Sequence, residues 1–398
     1  MLGIVKAKGA VLFDEHGKEY IDGISSWYTS VYGHCNDAII AKVYAQMQQL
    51  DQVVFSGFTH EPAIALSEAL ISLLPENQEK LFFSDNGSTA TEIGIKMALQ
   101  YHHNLGKKRS VLMAFEDGFH GDTFGAMSVS GLSVYNGPFE DYFIEVKRIP
   151  VPTDANLEGL LHELENTMDL DAVAGFIYEP LVQGAAAMKM HKAEHLEKIL
   201  KVIKSHGVLA IADEVMTGFG KTGRHFASDY MTEKPDIICM SKALTAGMLP
   251  MAVTSCTQNV YDAFYSDDIA KGLFHGHTYT ANPLACAAAL AGIELLKSEE
   301  IQKNIGQIIQ WHQEFDAQIK DHPKVAATRQ TGIIYALDLN IVMERYGNVR
   351  DKLFQHFMDA GVFLRPLGNT IYISAPYIIT KDQMQRIYDS IRDVLEKF

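Results

Sequence analysis

Two charged residues close two apolar runs. In VLAIADEV (208–215) the run ends at Asp213, and in DIICMSKAL (236–244) Lys242 follows one. A carboxylate at the margin of a buried site is costly unless a cation or hydrogen-bond donors meet it. An amine beside a buried strand end can lose its proton and attack carbonyl carbon. SDNGSTATEIGIKMA (84–98) adds a strand, a glycine turn and a helix. Gly87 permits close backbone approach, Ser88 and Thr89 are placed to cap the helix, and its free N–H groups favour a phosphate. Each signal has a plain alternative: a surface lysine, a solvated loop aspartate, an ordinary helix cap. The conjunction is more specific than its members. A phosphate cradle, a carboxylate for a ring nitrogen and an amine for an aldehyde are the parts pyridoxal phosphate requires.

Two other motifs point elsewhere. GFGKTG (218–223) fits a glycine-rich nucleotide loop. A Walker A loop would need glycine at 215, where Val215 stands, and RHFASDY is a poor start for the long helix of a dinucleotide fingerprint. It reads as a structural loop. HKAEH (191–195) matches the pattern by which inverted zinc peptidases place two histidines on one helix face. In a chain with 16 histidines such a pattern recurs by chance. A zinc hydrolase using His191, Glu194 and His195 is the rival from a different class; otherwise no metal is expected.

The elements must bring the three signals together. Short apolar runs LFFS (81–84), VLMAF (111–115), VAGFIY (173–178), VLAIA (208–212) and DIICM (236–240) alternate with helical periods. Such runs indicate a parallel sheet buried on both faces, with ligands bound outside the carboxyl ends of its strands. After about Leu296 helical periods give way to alternating strands, GIIYALDL and NTIYISAP, and a last helix from Thr380. The hairpin signal around Asp14–Gly17 is expected to return to this lobe. The reading is a two-lobed α/β protein: a large, mostly parallel sheet domain over 25–297, and a smaller α+β domain from 298–398 joined by 1–24.

Composition narrows the class. With 398 residues, 47% of them hydrophobic, and a net charge of −15, the chain is neither disordered nor suited to nucleic acid. The longest apolar stretch, PLACAAALAGIELL (283–296), falls short of the ~18 residues that span a bilayer and reads as a buried helix. Cys35, Cys239, Cys256 and Cys286 are widely spaced, as in reduced thiols of a cytoplasmic protein.

At these residues the chain resembles the class III (subgroup II) pyridoxal-phosphate aminotransferases of fold type I. ADEVMTGFGKTGRHFAS (212–228), PDIICMSKALTAG (235–247) and HGHTYTANPLACAAA (275–289) carry the resemblance over nearly the whole chain. SSWY (25–28), GFHGDTFGAMSVS (118–130) and RPLGNTIYISAPY (365–377) resemble the biotin-pathway branch. Asp122 stands where many ω-aminotransferases carry arginine. That branch aminates 8-amino-7-oxononanoate to 7,8-diaminononanoate, and it implies S-adenosylmethionine as donor, although related enzymes use lysine. Another ω-aminotransferase or an aminomutase is the alternative within the fold.

The resemblance implies pyridoxal 5′-phosphate as cofactor and distributes roles. Gly87 and Ser88 would hold its phosphate, Phe119 would cover the ring face, Asp213 would meet the pyridine nitrogen, and Lys242 would form the Schiff base. His277 and Thr278 would reach the phosphate of the neighbouring subunit's cofactor, making the enzyme a homodimer. Trp27 and Gly276 would line the substrate pocket, and Arg365 would bind a substrate carboxylate. By residue type alone, Trp27 reads as core filler and Arg365 as a surface ion pair. Two departures stand out. Phe119 replaces a tyrosine common among relatives, and a His-Pro-Tyr-Thr-like covering segment is expected upstream of Met1.

Overall fold

The computed structural model describes residues 2–133, 136–341 and 348–398. Its largest sheet follows from the apolar runs. Strands β4 (Gln78–Ser84), β5 (Val111–Phe115), β6 (Val146–Ile149), β7 (Val173–Tyr178), β10 (Leu209–Asp213), β11 (Ile237–Met240) and β12 (Ala252–Thr257) form one sheet in the order β4-β12-β11-β10-β7-β5-β6. β5, β7 and β10 are buried along their whole length, as strands covered on both faces must be.

The sheet is mostly parallel, with one inversion. β12 runs antiparallel to both β11 and β4. Its sequence, AVTSCT, mixes hydroxyls into the run, so a search for unbroken apolar stretches passes over it. Those hydroxyls are satisfied internally: Thr254 donates to Ala90 O (2.9 Å) and Ser255 to Gln78 Oε1 (2.7 Å). Because β4, β5, β7, β10 and β11 share one direction, their carboxyl ends fall on one edge. That edge collects the residues after Ser84, Phe115, Tyr178, Ala212 and Met240.

The smaller lobe is built on β13 (Val325–Thr331), β14 (Ile334–Leu339) and β16 (Thr370–Ile373), an antiparallel sheet. The helices Glu299–Ile319 and Lys381–Lys397 meet through Phe315 and Tyr388, whose rings stack at 4.1 Å. The N-terminal strands β1 (Ile4–Lys8), β2 (Val11–Asp14) and β3 (Glu19–Asp22) do return here: β15 (Val362–Phe363) pairs parallel to β3. A two-stranded hairpin, β8 (Val182–Gln183) and β9 (Lys189–Met190), stands apart from these sheets.

GFGKTG joins the lobes. Tyr377 donates to Phe219 O (2.7 Å), and Ile333 N donates to Lys221 O (2.9 Å). A Cβ on Gly332 would lie 2.2 Å from the Thr222 carbonyl carbon, so only glycine lets the two turns meet. The loop is a structural seam, as its sequence suggests. PLACAAALAGIELL forms the buried helix Pro283–Leu296, capped by Asn282.

Candidate active site

Asp213, the last residue of β10, is 4% exposed. Its Oδ2 lies 2.7 Å from His120 Nδ1, and its Oδ1 accepts Val215 N (3.0 Å). His120 is itself buried, and its Nε2 has no partner among the described residues. On the adjacent strand end, Lys242 opens a short 3₁₀ turn with φ +48°. Its Nζ sits 5.0 Å above the Tyr28 ring and forms no hydrogen bond among the described residues. Burial pushes this amine below the usual lysine range, while Asp213 and Glu179 pull it back. A half-buried amine without an acceptor among the described residues, beside a fixed carboxylate, is a reactive arrangement.

The turn after β4 differs from its sequence reading. Asn86, rather than Ser88 or Thr89, caps the helix Gly87–Asn104. It accepts Thr89 N, and Thr89 returns the bond to Asn86 N. The Ser88 hydroxyl is engaged with Thr123, accepting its N–H (3.0 Å) and lying 2.8 Å from its Oγ1. This leaves the Gly87 and Ser88 amides without acceptors among the described residues, at the positive end of an 18-residue helix. Gly87 is required because a Cβ would lie 2.8 Å from Val215 Cγ1. Gly121 (φ +131°) is required because its Cβ would strike Ser88.

Phe119 presents its ring outward, 44% exposed, while its N–H donates to Glu179 Oε1 (3.0 Å). Glu179 also accepts Gly184 N at Oε2 (2.8 Å). Burial raises its carboxyl to about 7; Asp213 adds to this, and His120 with the two amides opposes it.

Ser25, Ser26, Trp27 and Tyr28 form a left-handed turn, with φ between +45° and +72°. Each such residue costs about 1–2 kcal/mol, so the turn must be pinned. Ser25 donates to Ser374 O (2.7 Å) and Ser26 to Asp22 Oδ2 (2.8 Å), which also meets His34 Nε2 (2.7 Å). The result exposes Trp27 to 51%, so it is not core filler. The Arg365 guanidinium lies 4.4 Å from the Trp27 ring and pairs with no carboxylate among the described residues, so it is not a surface ion pair.

Not every expected residue joins this cluster. Gly276, His277 and Thr278 lie on a surface segment, with His277 Nε2 4.0 Å from Asp85 Oδ1 at the turn after β4. Thr278 offers its carbonyl to Gln52 (2.7 Å). His191 and His195 are not brought together as ligands. The helix starts at Ala193, after His191, whose Nε2 meets Glu179 O (3.2 Å), whereas His195 faces Asp154 (3.1 Å). No group of three or more His, Cys, Asp or Glu among the described residues could hold a metal ion.

Sequence reasoning missed His120, Glu179 and Tyr28. Glu179 was accessible by the rule that found Asp213, since it follows the unbroken run VAGFIY at the same sheet edge. His120 lies inside a quoted motif, but its partner is 93 residues away. The residues present fit a ligand with a phosphate, a basic ring nitrogen and a carbonyl carbon: two free amides, a buried carboxylate and an unpartnered amine.

Residues 1–395 match the aminotransferase class-III family. The adenosylmethionine-8-amino-7-oxononanoate aminotransferase of Synechococcus elongatus is 43% identical, over 100% of this chain and 95% of its own length. That of Geobacter sulfurreducens is 36% identical, over 98% and 90%. Among solved structures, the enzyme of that name from Methanocaldococcus jannaschii superposes with a TM-score of 0.94 at 30% identity, covering 100% of this chain and 93% of the other. An amine transaminase from an uncultivated Pseudomonas species, in its PLP-bound form, gives 0.94 at 27%, covering 100% and 95%.

Proposed function

The chain belongs to the class-III aminotransferases, pyridoxal-phosphate-dependent enzymes of fold type I, and on that premise we propose that it aminates 8-amino-7-oxononanoate to 7,8-diaminononanoate in biotin synthesis. The amino donor in this reading is S-adenosylmethionine. The observation that carries it is Arg365, a guanidinium over exposed Trp27 with no carboxylate partner among the described residues. It offers the donor fork that a long keto acid's terminal carboxylate needs. Relatives bearing that substrate's name, at 43% and 36% identity, support the same choice.

Bound pyridoxal phosphate supplies an aldehyde carbon that takes up the amino group and a ring that withdraws electrons. The Gly87 and Ser88 amides hold its phosphate. Asp213, oriented by His120, would keep a proton on the ring nitrogen, and Phe119 would cover the ring. Lys242 Nζ, its basicity lowered by burial, takes the proton from the donor's amine-bearing carbon and returns it on the other side of the transfer. Trp27, Gly276 and Arg365 bound the substrate.

His277 and Thr278 act across a homodimer in this reading, at the phosphate of the neighbouring subunit's cofactor. Their segment exposes Tyr265 (77%), Ile269 (78%), Phe274 (69%) and Tyr279 (65%), an apolar surface suited to burial against a second copy. No helix among the described residues is long and apolar enough to cross a membrane. We place the enzyme in the cytoplasm.

The test is direct. Purified protein is incubated with 8-amino-7-oxononanoate and either S-adenosylmethionine or lysine, and products are identified by mass. Diaminononanoate formed with S-adenosylmethionine supports the proposal. Formation with lysine alone corrects the donor. Turnover confined to simple ω-amines and short keto acids overturns the substrate.

A further inference from the structure

Phe119 is carried on the loop between β5 and Thr123, and the β8–β9 hairpin braces that loop at three points. Gln183 Nε2 donates to Glu116 O (3.0 Å), and Lys189 Nζ lies 3.5 Å from Asp117 Oδ2. Glu179 links the amides of Phe119 and Gly184 through its two oxygens. The hairpin's tip is itself strained: Ala187 and Met188, neither a glycine, have φ of +57° and +56°.

What holds the tip comes from the other lobe. Arg329 on β13 donates from Nε to Met188 O (2.7 Å) and from Nη2 to Ala187 O. Its Nη1 and Nη2 also grip both oxygens of Asp338 on β14 (2.7 and 2.9 Å), and Asp338 Oδ1 is fixed in turn by the Thr370 hydroxyl (2.6 Å). Nε, Nη1 and Nη2 are all engaged, and the side chain is only 19% exposed. Such a fork is a rigid strut rather than a solvated charge.

We propose that Arg329 is a positioning residue for the ring-covering loop. Acting through the hairpin tip, Gly184 and Glu179, it sets the placement of Phe119 from the small lobe, more than a hundred residues away in sequence. The inference rests on the proposed function in one respect, that Phe119 covers the cofactor ring. The contacts are contiguous, and every link is a hydrogen bond, an ion pair or a paired strand.

The test uses the holoenzyme and reads the bound cofactor rather than turnover. Arg329→Gln should speed release of pyridoxal phosphate on dilution about fivefold, in the range of couplings carried through packed networks. It should also change the visible circular dichroism per bound cofactor. Arg329→Lys, which keeps the charge but reaches fewer acceptors, should fall between. In an Arg329→Gln/Glu179→Gln double variant the two effects should not add, because both act on one path. If Arg329→Gln does not fold, Arg329→Lys and Asp338→Asn carry the same comparison. A lowered thermal midpoint with native dichroism and release would overturn the proposal, leaving Arg329 a plain brace. A native protein that binds no pyridoxal phosphate would instead overturn the function on which it rests.

Discussion

His120 Nδ1 lies 2.7 Å from Asp213 Oδ2, both side chains are buried, and the other imidazole nitrogen has no partner among the described residues. A proton carried on Nδ1 and shared with Oδ2 fixes the carboxylate's orientation. Asp213→Asn should therefore fold but turn over at least about 10²-fold more slowly, because an amide cannot hold a proton on the ring nitrogen. His120→Gln should lose less, since the carboxylate remains while its orientation loosens. Steady-state kcat for both variants checks the order. Near-native turnover in Asp213→Asn would remove Asp213 from the chemistry.

Lys242 has no acceptor for its Nζ among the described residues, and the Nζ lies above the Tyr28 ring. Purified protein should be yellow, and borohydride should fix the cofactor carbon to this nitrogen as a stable secondary amine. Peptide mapping should find the added mass on the Lys242 peptide. Label on Lys221, the fully buried amine of this region, would reassign the residue.

In the proposed reading Arg365 recognises a carboxylate through a planar fork that lysine cannot reproduce, and its guanidinium lies over Trp27. Arg365→Lys should raise KM for carboxylate-bearing substrates about tenfold or more, while leaving simple amines nearly unchanged. Equal losses for both classes would contradict direct recognition. Trp27→Ala should produce part of the same effect by removing the surface that orients the guanidinium.

The sequence reading reached the sheet edge because unbroken apolar runs are legible without a structure, and charged residues closing them are conspicuous. Asp213 and Lys242 are legible on that basis, and the turn at Gly87 from the strand, glycine and helix around it, and all three lie at that edge. What escaped depends on partners distant in sequence. Nothing local shows that His120 meets Asp213, that Glu179 spans two amides, or that Arg329 reaches Met188 from 141 residues away. The helix cap was misplaced by two or three residues because serine and threonine compete with asparagine as caps, and only geometry shows which oxygen is free. β12 was passed over because its hydroxyls find buried acceptors, which composition does not reveal. HKAEH shows the converse: the spacing fits a helix, but the helix begins after its first histidine.

The last prediction concerns pH. Lys221 is fully buried, and its one hydrogen bond among the described residues runs to Gly218 O (3.0 Å). Burial, with the charge of Lys242 adding, lowers its amine to about 7, against the resistance of Glu214. The unfolded chain holds this amine at its ordinary value near 10.4. A base depressed on folding stabilises the folded state most above the unfolded value, where both states are neutral. That contribution is lost as pH falls through the window, and the loss is complete below about 7. Replacing the ammonium by an apolar chain of similar length removes the penalty. Lys221→Met should therefore raise the thermal midpoint at pH 7. The gain over the native protein should shrink steadily as pH approaches 10, where the amine of the unfolded chain is losing its proton as well. Melting curves of both proteins from pH 6.5 to 10 measure the difference. A gain that stays constant across that range would show that Lys221 titrates in the fold as it does in the unfolded chain, and a loss at pH 7 would show that its bond to Gly218 outweighs the cost of burying the charge.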